Sequence, residues 1–476
     1  MRTDSYIVSK PLLNGISPTV NGDPSTFLAD AVDVLFTPNG VADYVHPASI
    51  KTSVYDGTFD YQLLQGFTSL FQVVPERGII TMRSNTGLDT KEVVKISPHE
   101  CNGNWSIASF GDLHYLTNGT KTVRVRNEQD FDVSVSNVAF NAIAFHEGRI
   151  VMSGFRLTNR LRRYFDKHND SVAIPFTTPY QRGDYIMWTT PGSADMIDML
   201  AFDDSVSDQD ITELFKINML GYMQIPNIGE VIDIVPYLGY LVIFGTSHTA
   251  ILYNADGANF AIDLPRSYGV KNVFNFSLYN AGACAVSAGK LYCVDRAGNL
   301  RMLEDSGFSI VGYQYLIARE NPRKIKLFDS PQNNALLIST DNTTYILPDK
   351  GGLSRLSTHI TAATAALTIQ DKTEQTDKQV TTLPLITALQ GGRGTLTGLS
   401  WNTETGNTQI QISSNENNIV LHLVDYGRHI VNVKLKCVSF NCTIKFDGVA
   451  PSALTIFIQQ DDKSNVRTRN QIDFGQ

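Results

Sequence analysis

The stretch PYLGYLVIFGTSHTAILYN, residues 236–254, reads as a strand, a tight turn and a second strand. YLVIFG is apolar and β-branched, TSH is short and polar, and TAILYN resumes the apolar run, which is the pattern of a β-hairpin. The turn is expected to need Gly245 for backbone freedom. Units of the same kind recur along the chain. FGDLHYLTNGTKTVRVR (110–126) carries an Asn-Gly turn at Asn118 and Gly119, a strong hairpin signal. FHEGRIVMSGF (145–155) is followed by DYIMWTTPG (184–192), and YNAGACAVSAGKLYCVDRAGNLRML (279–303) and SPQNNALLISTDNTTYILPD (330–349) come later. Upstream, YQLLQGFTSLFQVVPERGIITMRSN (61–85) fits one more.

The units start roughly 35 to 50 residues apart, close to the period of a four-stranded propeller blade. The step from 145 to 237 is about twice as long and is read as one blade carrying insertions. Within it, 155–170 is expected to be a short helix or exposed loop, and 205–223 has the capping residues and apolar period of a helix entry. Each unit offers too few strands to shield its own apolar faces. Radial repetition covers both faces of every sheet and leaves only short edges. The expected fold is therefore all-β: a β-propeller with irregular blades and short helical insertions, followed by a small antiparallel β-domain.

The chain divides into an extended N-terminal segment (1–40), the propeller (41–355), a linker or exposed arm (356–398) and a C-terminal β-domain (399–476). The N-terminal segment is a candidate for closing the propeller by lending it a strand. The arm is rich in Thr, Ala and Gln, holds no aromatic residue and ends in a glycine cluster. Beyond it, TQIQISSN, NIVLHLVDYG and HIVNVKLKCVSFNCTIKFDG alternate as half-buried strands do.

The 476 residues are 42% apolar and 18% charged, with a formal charge of −8. A protein that grips nucleic acid by its phosphates is usually basic, so this balance argues against that role. It is compatible with a conduit through which DNA slides without sticking. The N-terminus shows no apolar leader, and no run of about 18 apolar residues predicts a membrane span. Of the five cysteines, Cys284 and Cys293 sit in strand-like runs and read as buried thiols. Cys437 and Cys442 flank VSFN and face each other if that segment is a hairpin.

No phosphate-binding loop, nucleophile elbow or zinc spacing occurs, so no catalytic residue, cofactor or metal is expected. HEGRI at His146 lacks the second histidine of a zincin. STDNTTYI (339–346) shares Ser339 and Asp341 with the blade turn of sialidases and then departs from it at the glycine, so it reads as an ordinary turn. The sharpest charge feature is Arg156, Arg160, Arg162, Arg163, Lys167 and His168, a basic run in an acidic chain. It reads either as a solvated face or as a docking patch for an acidic partner or for phosphates, with Tyr164 and Phe165 able to anchor the contact.

Over about residues 30–350 the order of these runs resembles the tail nozzle, or packaged-DNA stabilisation, proteins of short-tailed bacteriophages (podoviruses). MWTTPG (Met187 to Gly192) and IFGTSHTAILY (Ile243 to Tyr253) stand where that family has two structural motifs. Thr189 and Thr190 replace a Ser-Asp pair, and His248 enters the second motif. The resemblance implies a non-enzymatic virion protein, made in the host cytoplasm and placed in the tail. Its copies would form a six-fold ring below the head-to-tail adaptor. That ring extends the channel for double-stranded DNA, helps retain the packaged genome and holds tail fibres or other appendages. Two other readings stay open on the residues alone: a glycan-acting or glycan-binding propeller, and a peptide-binding scaffold propeller.

Overall fold

The computed structural model describes residues 5–8, 14–20, 27, 30–32, 34–37, 40–44, 62–67, 69–84, 90–126, 131–156, 181–194, 197–202, 220–255, 268–356, 359–362, and strand backbone at 394–403, 406–414, 422–426, 430–436, 440–448, 453–459 and 467–473. Four short strands come first: β1 (Ser5–Val8), β2 (Asp30–Val32), β3 (Val34–Thr37) and β4 (Gly40–Tyr44). Six four-stranded meanders follow. Blade 1 is β5 (Gln62–Gln65), β6 (Ser69–Val74), β7 (Ile79–Ser84) and β8 (Thr90–Lys95). Blade 2 is β9 (Ser106–Phe110), β10 (Leu113–Thr117), β11 (Thr122–Arg126) and β12 (Asp132–Ser136). Blade 3 is β13 (Ala142–His146), β14 (Arg149–Arg156), β15 (Gln181–Thr189) and β16 (Leu220–Gln224). Blade 4 is β17 (Val231–Tyr237), β18 (Tyr240–Gly245), β19 (Thr249–Asn254) and β20 (Tyr268–Phe274). Blade 5 is β21 (Cys284–Ser287), β22 (Lys290–Val294), β23 (Leu300–Glu304) and β24 (Gly307–Gly312). Blade 6 is β25 (Lys326–Ser330), β26 (Ala335–Ser339), β27 (Thr344–Pro348) and β28 (Ser354–Leu356).

The fold is a six-bladed β-propeller. The long third unit is one blade, as its spacing implies: chain inserted after Arg156 and after Thr189 separates its strands. Helix is scarce among the described residues. It is limited to turns such as α1 (Pro98–Cys101), α2 (Gln314–Ile317) and a π-type turn at Asp198–Phe202. The helix expected over 205–223 ends instead in strand, because 220–223 belong to β16 and pair with β15. Residues 203–219 lie outside the described residues.

Each blade begins with its innermost strand. β9 packs on β13, β13 on β17 and β21 on β25 around the axis. Second strands, and the third strand of blade 6, are covered on both faces, so β10, β26 and β27 are buried at every position. That is why they read as continuous apolar runs rather than alternating ones. The core is a set of seams between blades. Phe71, Ile80, Leu116 and Val123 fill the one between blades 1 and 2, and Trp188, Ile243, Leu252 and Tyr268 the one between blades 3 and 4. Burying each such side chain contributes about 1.5–3 kcal/mol.

Three buried threonines fasten the chain where it passes out of blades 2, 4 and 6. Thr117 Oγ1 donates to Phe140 O at 2.8 Å and accepts from Phe140 N at 3.0 Å, tying blade 2 to the segment that enters blade 3. Thr249 Oγ1 donates to Phe276 O (3.1 Å) on the way into blade 5. Thr344 Oγ1 accepts from Ile360 N (2.8 Å) where the chain leaves blade 6. An unpaired peptide group in these places would cost about 1–3 kcal/mol.

Every blade builds its four strands from consecutive chain, so the ring closes without an exchanged strand. The N-terminal segment is a strap instead. Gly15 and Ile16 bridge to Leu353, Tyr313 N donates to Pro18 O (2.7 Å), and Tyr315 Oη donates to Ser17 O (2.9 Å), stitching blades 5 and 6 together. β2 pairs with the outer edge of blade 6 at Val32 and Arg355. That sheet continues through β29 (Gly394–Thr403), β30 (Gly406–Ser414) and β33 (Phe440–Gly448). β31 (His422–Tyr426), β32 (Ile430–Lys436), β34 (Ala453–Gln459) and β35 (Arg467–Asp473) form a second sheet with β1, in which β32 and β34 run parallel.

Gly245 is needed for a different reason than turn freedom. A Cβ there would stand 2.1 Å from Ile228 O, so the glycine lets two backbones touch. Turns that do use positive φ include those joining the first two strands of blades 3, 4 and 5. Glu147 (48°), Leu238 (47°) and Ala288 (51°) each precede a glycine that is also at positive φ, the geometry of a type I′ hairpin.

Candidate functional site

The inner strands of blades 1, 2, 3, 4 and 6, with the approach to blade 5, enclose an axial channel of about 1090 Å³. Leu64, Ile107, Phe145, Ile234 and Phe328 face it from blades 1, 2, 3, 4 and 6, and Gly282 from the approach to blade 5. Because every inner strand leads into its first hairpin turn at the same end, one mouth is ringed by those turns. Phe67 is 77% exposed there, Leu238 is 74% exposed, and Phe145 packs edge-on against Phe110 at 6.0 Å.

The polar groups of the wall are engaged with neighbouring blades. Gln62 Nε2 donates to Gly103 O (2.6 Å) and its Oε1 accepts from Trp105 N (2.9 Å). Ser106 Oγ accepts from Ile143 N (3.1 Å). Ser109 Oγ pairs with His114 Nδ1 at 2.8 Å and accepts from Phe67 N at 3.3 Å. His114 is fully buried against Phe71 of blade 1, and desolvation pushes its pKa down to about 4. Asp233 accepts from Ile234 N (2.8 Å), Gly282 N (3.2 Å) and Cys284 Sγ (3.3 Å). Desolvation nevertheless moves its carboxyl above the usual range, outweighing those bonds. The channel is thus an apolar and amide wall, with Asp233 and Lys326 its only ionisable side chains among the described lining residues.

Several sequence expectations are placed by these contacts. Ser339 Oγ donates to Ile360 O and Asp341 pairs with Lys324 at 2.8 Å, so the sialidase-like turn is held by structural bonds. His146 is buried with Nδ1 on Tyr268 Oη at 2.8 Å, a packing role between blades 3 and 4. Cys284 and Cys293 are buried free thiols opposite one another on β21 and β22. Among the described residues, no group of three or more His, Cys, Asp or Glu side chains is placed to hold a metal. Nor is any helix long and apolar enough to cross a membrane. Arg156 is the last residue of β14, whereas Arg160, Arg162, Arg163, Tyr164, Phe165 and Lys167 lie outside the described residues, as does Cys437.

Sequence reasoning passed over Phe67, Leu238 and the threonine latches. One signal for Leu238 was available: YLGY puts leucine where a type I′ turn favours Asn, Asp or Gly.

No family model matches the chain, and no curated protein matches it. Solved structures similar to it include a streptogramin B lyase, at 12% identity and TM-score 0.37 over 66% of this chain and 89% of that one. The WD40 domain of Neurospora crassa Pan2 is similar at 6% identity and TM-score 0.39, over 69% and 91%. YCF48 bound to D1 peptide is similar at 8% identity and TM-score 0.34, over 75% and 95%.

Proposed function

We propose that the chain is a non-enzymatic structural protein of a podovirus-like tail whose copies join in a ring. The observation that carries this reading is where its two motifs meet. Trp188 of MWTTPG and Ile243, Ala250 and Leu252 of IFGTSHTAILY lie in one apolar cluster between blades 3 and 4, with Trp188 edge-on to Tyr268 at 5.0 Å. The stretches behind the nozzle resemblance are therefore wall-building elements, and they do not converge on a reactive group.

The hub of one wheel is not the DNA conduit. Residues 62–67 span roughly 20 Å at about 3.3 Å per residue, so a volume of about 1090 Å³ open to the centres of water-sized spheres corresponds to a bore of about 11 Å once a radius of about 1.4 Å is added on each side. The major groove of a duplex is by itself about 12 Å wide. In this reading the conduit is the space enclosed by the ring of subunits, with adaptor and appendages held on its outer surfaces. An acidic chain lining it would centre the DNA at short range instead of binding it. Electron micrographs of purified protein test this: rings with a lumen wide enough for duplex DNA are expected. Monomers at all concentrations, or turnover of glycans by the purified chain, refute it.

A further inference from the structure

We propose that the apolar mouth of the hub is a docking site for the arginine-rich segment, residues 156–167, of a second copy of the chain; this deepens the ring reading and rests on it. The mouth presents large apolar side chains to solvent. Phe67 and Leu238 are about three-quarters exposed on opposite sides of it. Leu238 also sits at φ 47°, a conformation that is unfavourable for a bulky side chain. Phe67, Phe145 and Leu238 are all exposed on the turns of this one rim, and apolar side chains grouped in this way mark an interaction site. Two acids stand on the same ring of turns. Glu147 is exposed and holds Asn254 Nδ2, and Asp112 lies 3.9 Å from Arg126.

The occupant follows from complementarity and reach. Arg160, Arg162 and Arg163 followed by Tyr164 and Phe165 combine cations with two aromatic anchors, which suit an apolar pocket with an acidic rim. β14 starts at the mouth, just after the Glu147–Gly148 turn, and its eight residues carry the chain about 23 Å to the opposite face. There the chain leaves the described residues at Arg156 and returns at its register partner Gln181. Phe165, nine residues beyond Arg156, reaches at most about 30 Å from it. Passing round the rim of its own wheel to its own mouth takes roughly 50 Å: two strand spacings out, the height of the wheel, and about four back in. A donor on one face and an acceptor on the other make a head-to-tail contact, which builds a ring when the rotation between copies closes.

The test uses the full chain. Y164A/F165A supplies an acceptor with an empty mouth, and a fluorescent peptide of residues 155–170 is titrated onto it by anisotropy. Binding is expected to weaken at least tenfold when F67S and L238S are added, with unchanged circular dichroism; mouth-independent binding overturns the docking. Light scattering of the otherwise wild-type chain is the second readout, and F67S/L238S is expected to lower the oligomer mass. An oligomer of unchanged mass in that variant overturns the docking and leaves the ring reading in place. A wild-type chain that stays monomeric overturns the ring reading, and the titration still decides the mouth.

Discussion

Acid should loosen the seam between blades 1 and 2 through one side chain. His114 is fully buried, its ring edge-on to Phe71 at 5.2 Å and its Nδ1 on Ser109 Oγ at 2.8 Å. A Cβ on Gly66 would come within 2.7 Å of that nitrogen, so the site has no room for a water to solvate a charge. Burial is the main cause of the pKa falling from 6.5 to about 4, and nearby Asp112 opposes it. The folded chain therefore holds His114 neutral while the unfolded chain protonates it below 6.5. The contribution is fully present above that value and is lost as pH falls through the window down to 4. By linkage, about 2 kcal/mol is lost between pH 8 and pH 5, and about 3 kcal/mol by pH 4. His114→Asn keeps a hydrogen-bonding partner for Ser109 and does not titrate. Urea unfolding followed by tryptophan fluorescence, with Trp105 in the same seam, should show wild type losing about 2 kcal/mol more than H114N between pH 8 and pH 5. Parallel losses in the two proteins refute the argument.

Thr249→Val conserves shape but strips the donor from Phe276 O; a loss of about 1–3 kcal/mol in unfolding free energy is expected, and a neutral result would mean the latch is not needed. Gly245→Ala forces a methyl against Ile228 O and should cost about 1–3 kcal/mol, read as a lower melting temperature. Asp233 has a raised pKa, so its contribution is full below the ordinary value of 3.8 and is lost as pH rises through the elevated one. D233N should therefore gain melting temperature relative to wild type as pH rises from 4 to 7; a constant difference counts against desolvation of that carboxyl.

Much of the wheel was legible in the chain. Hairpins announce themselves locally, through apolar runs for strands covered on both faces and through glycine turns such as Asn118–Gly119. Six such units, one stretched by insertions, were visible because strand and turn preferences act over a few residues. What depends on distant partners was not. Closure into six blades, the strap of Gly15 and Ile16 on Leu353, and the threonine latches each join residues far apart in sequence. Gly245 shows the limit on a small scale: the sequence marks the glycine, but only the packed structure supplies Ile228 as the reason for it. The same holds for the site. Phe67 and Leu238 look like core residues in a linear reading, and it is the ring of first turns around the axis that leaves them exposed at the mouth. Sequence determined the blades because each strand's preferences are local; tertiary structure decided the ring and its mouth because those arise only when six sheets meet.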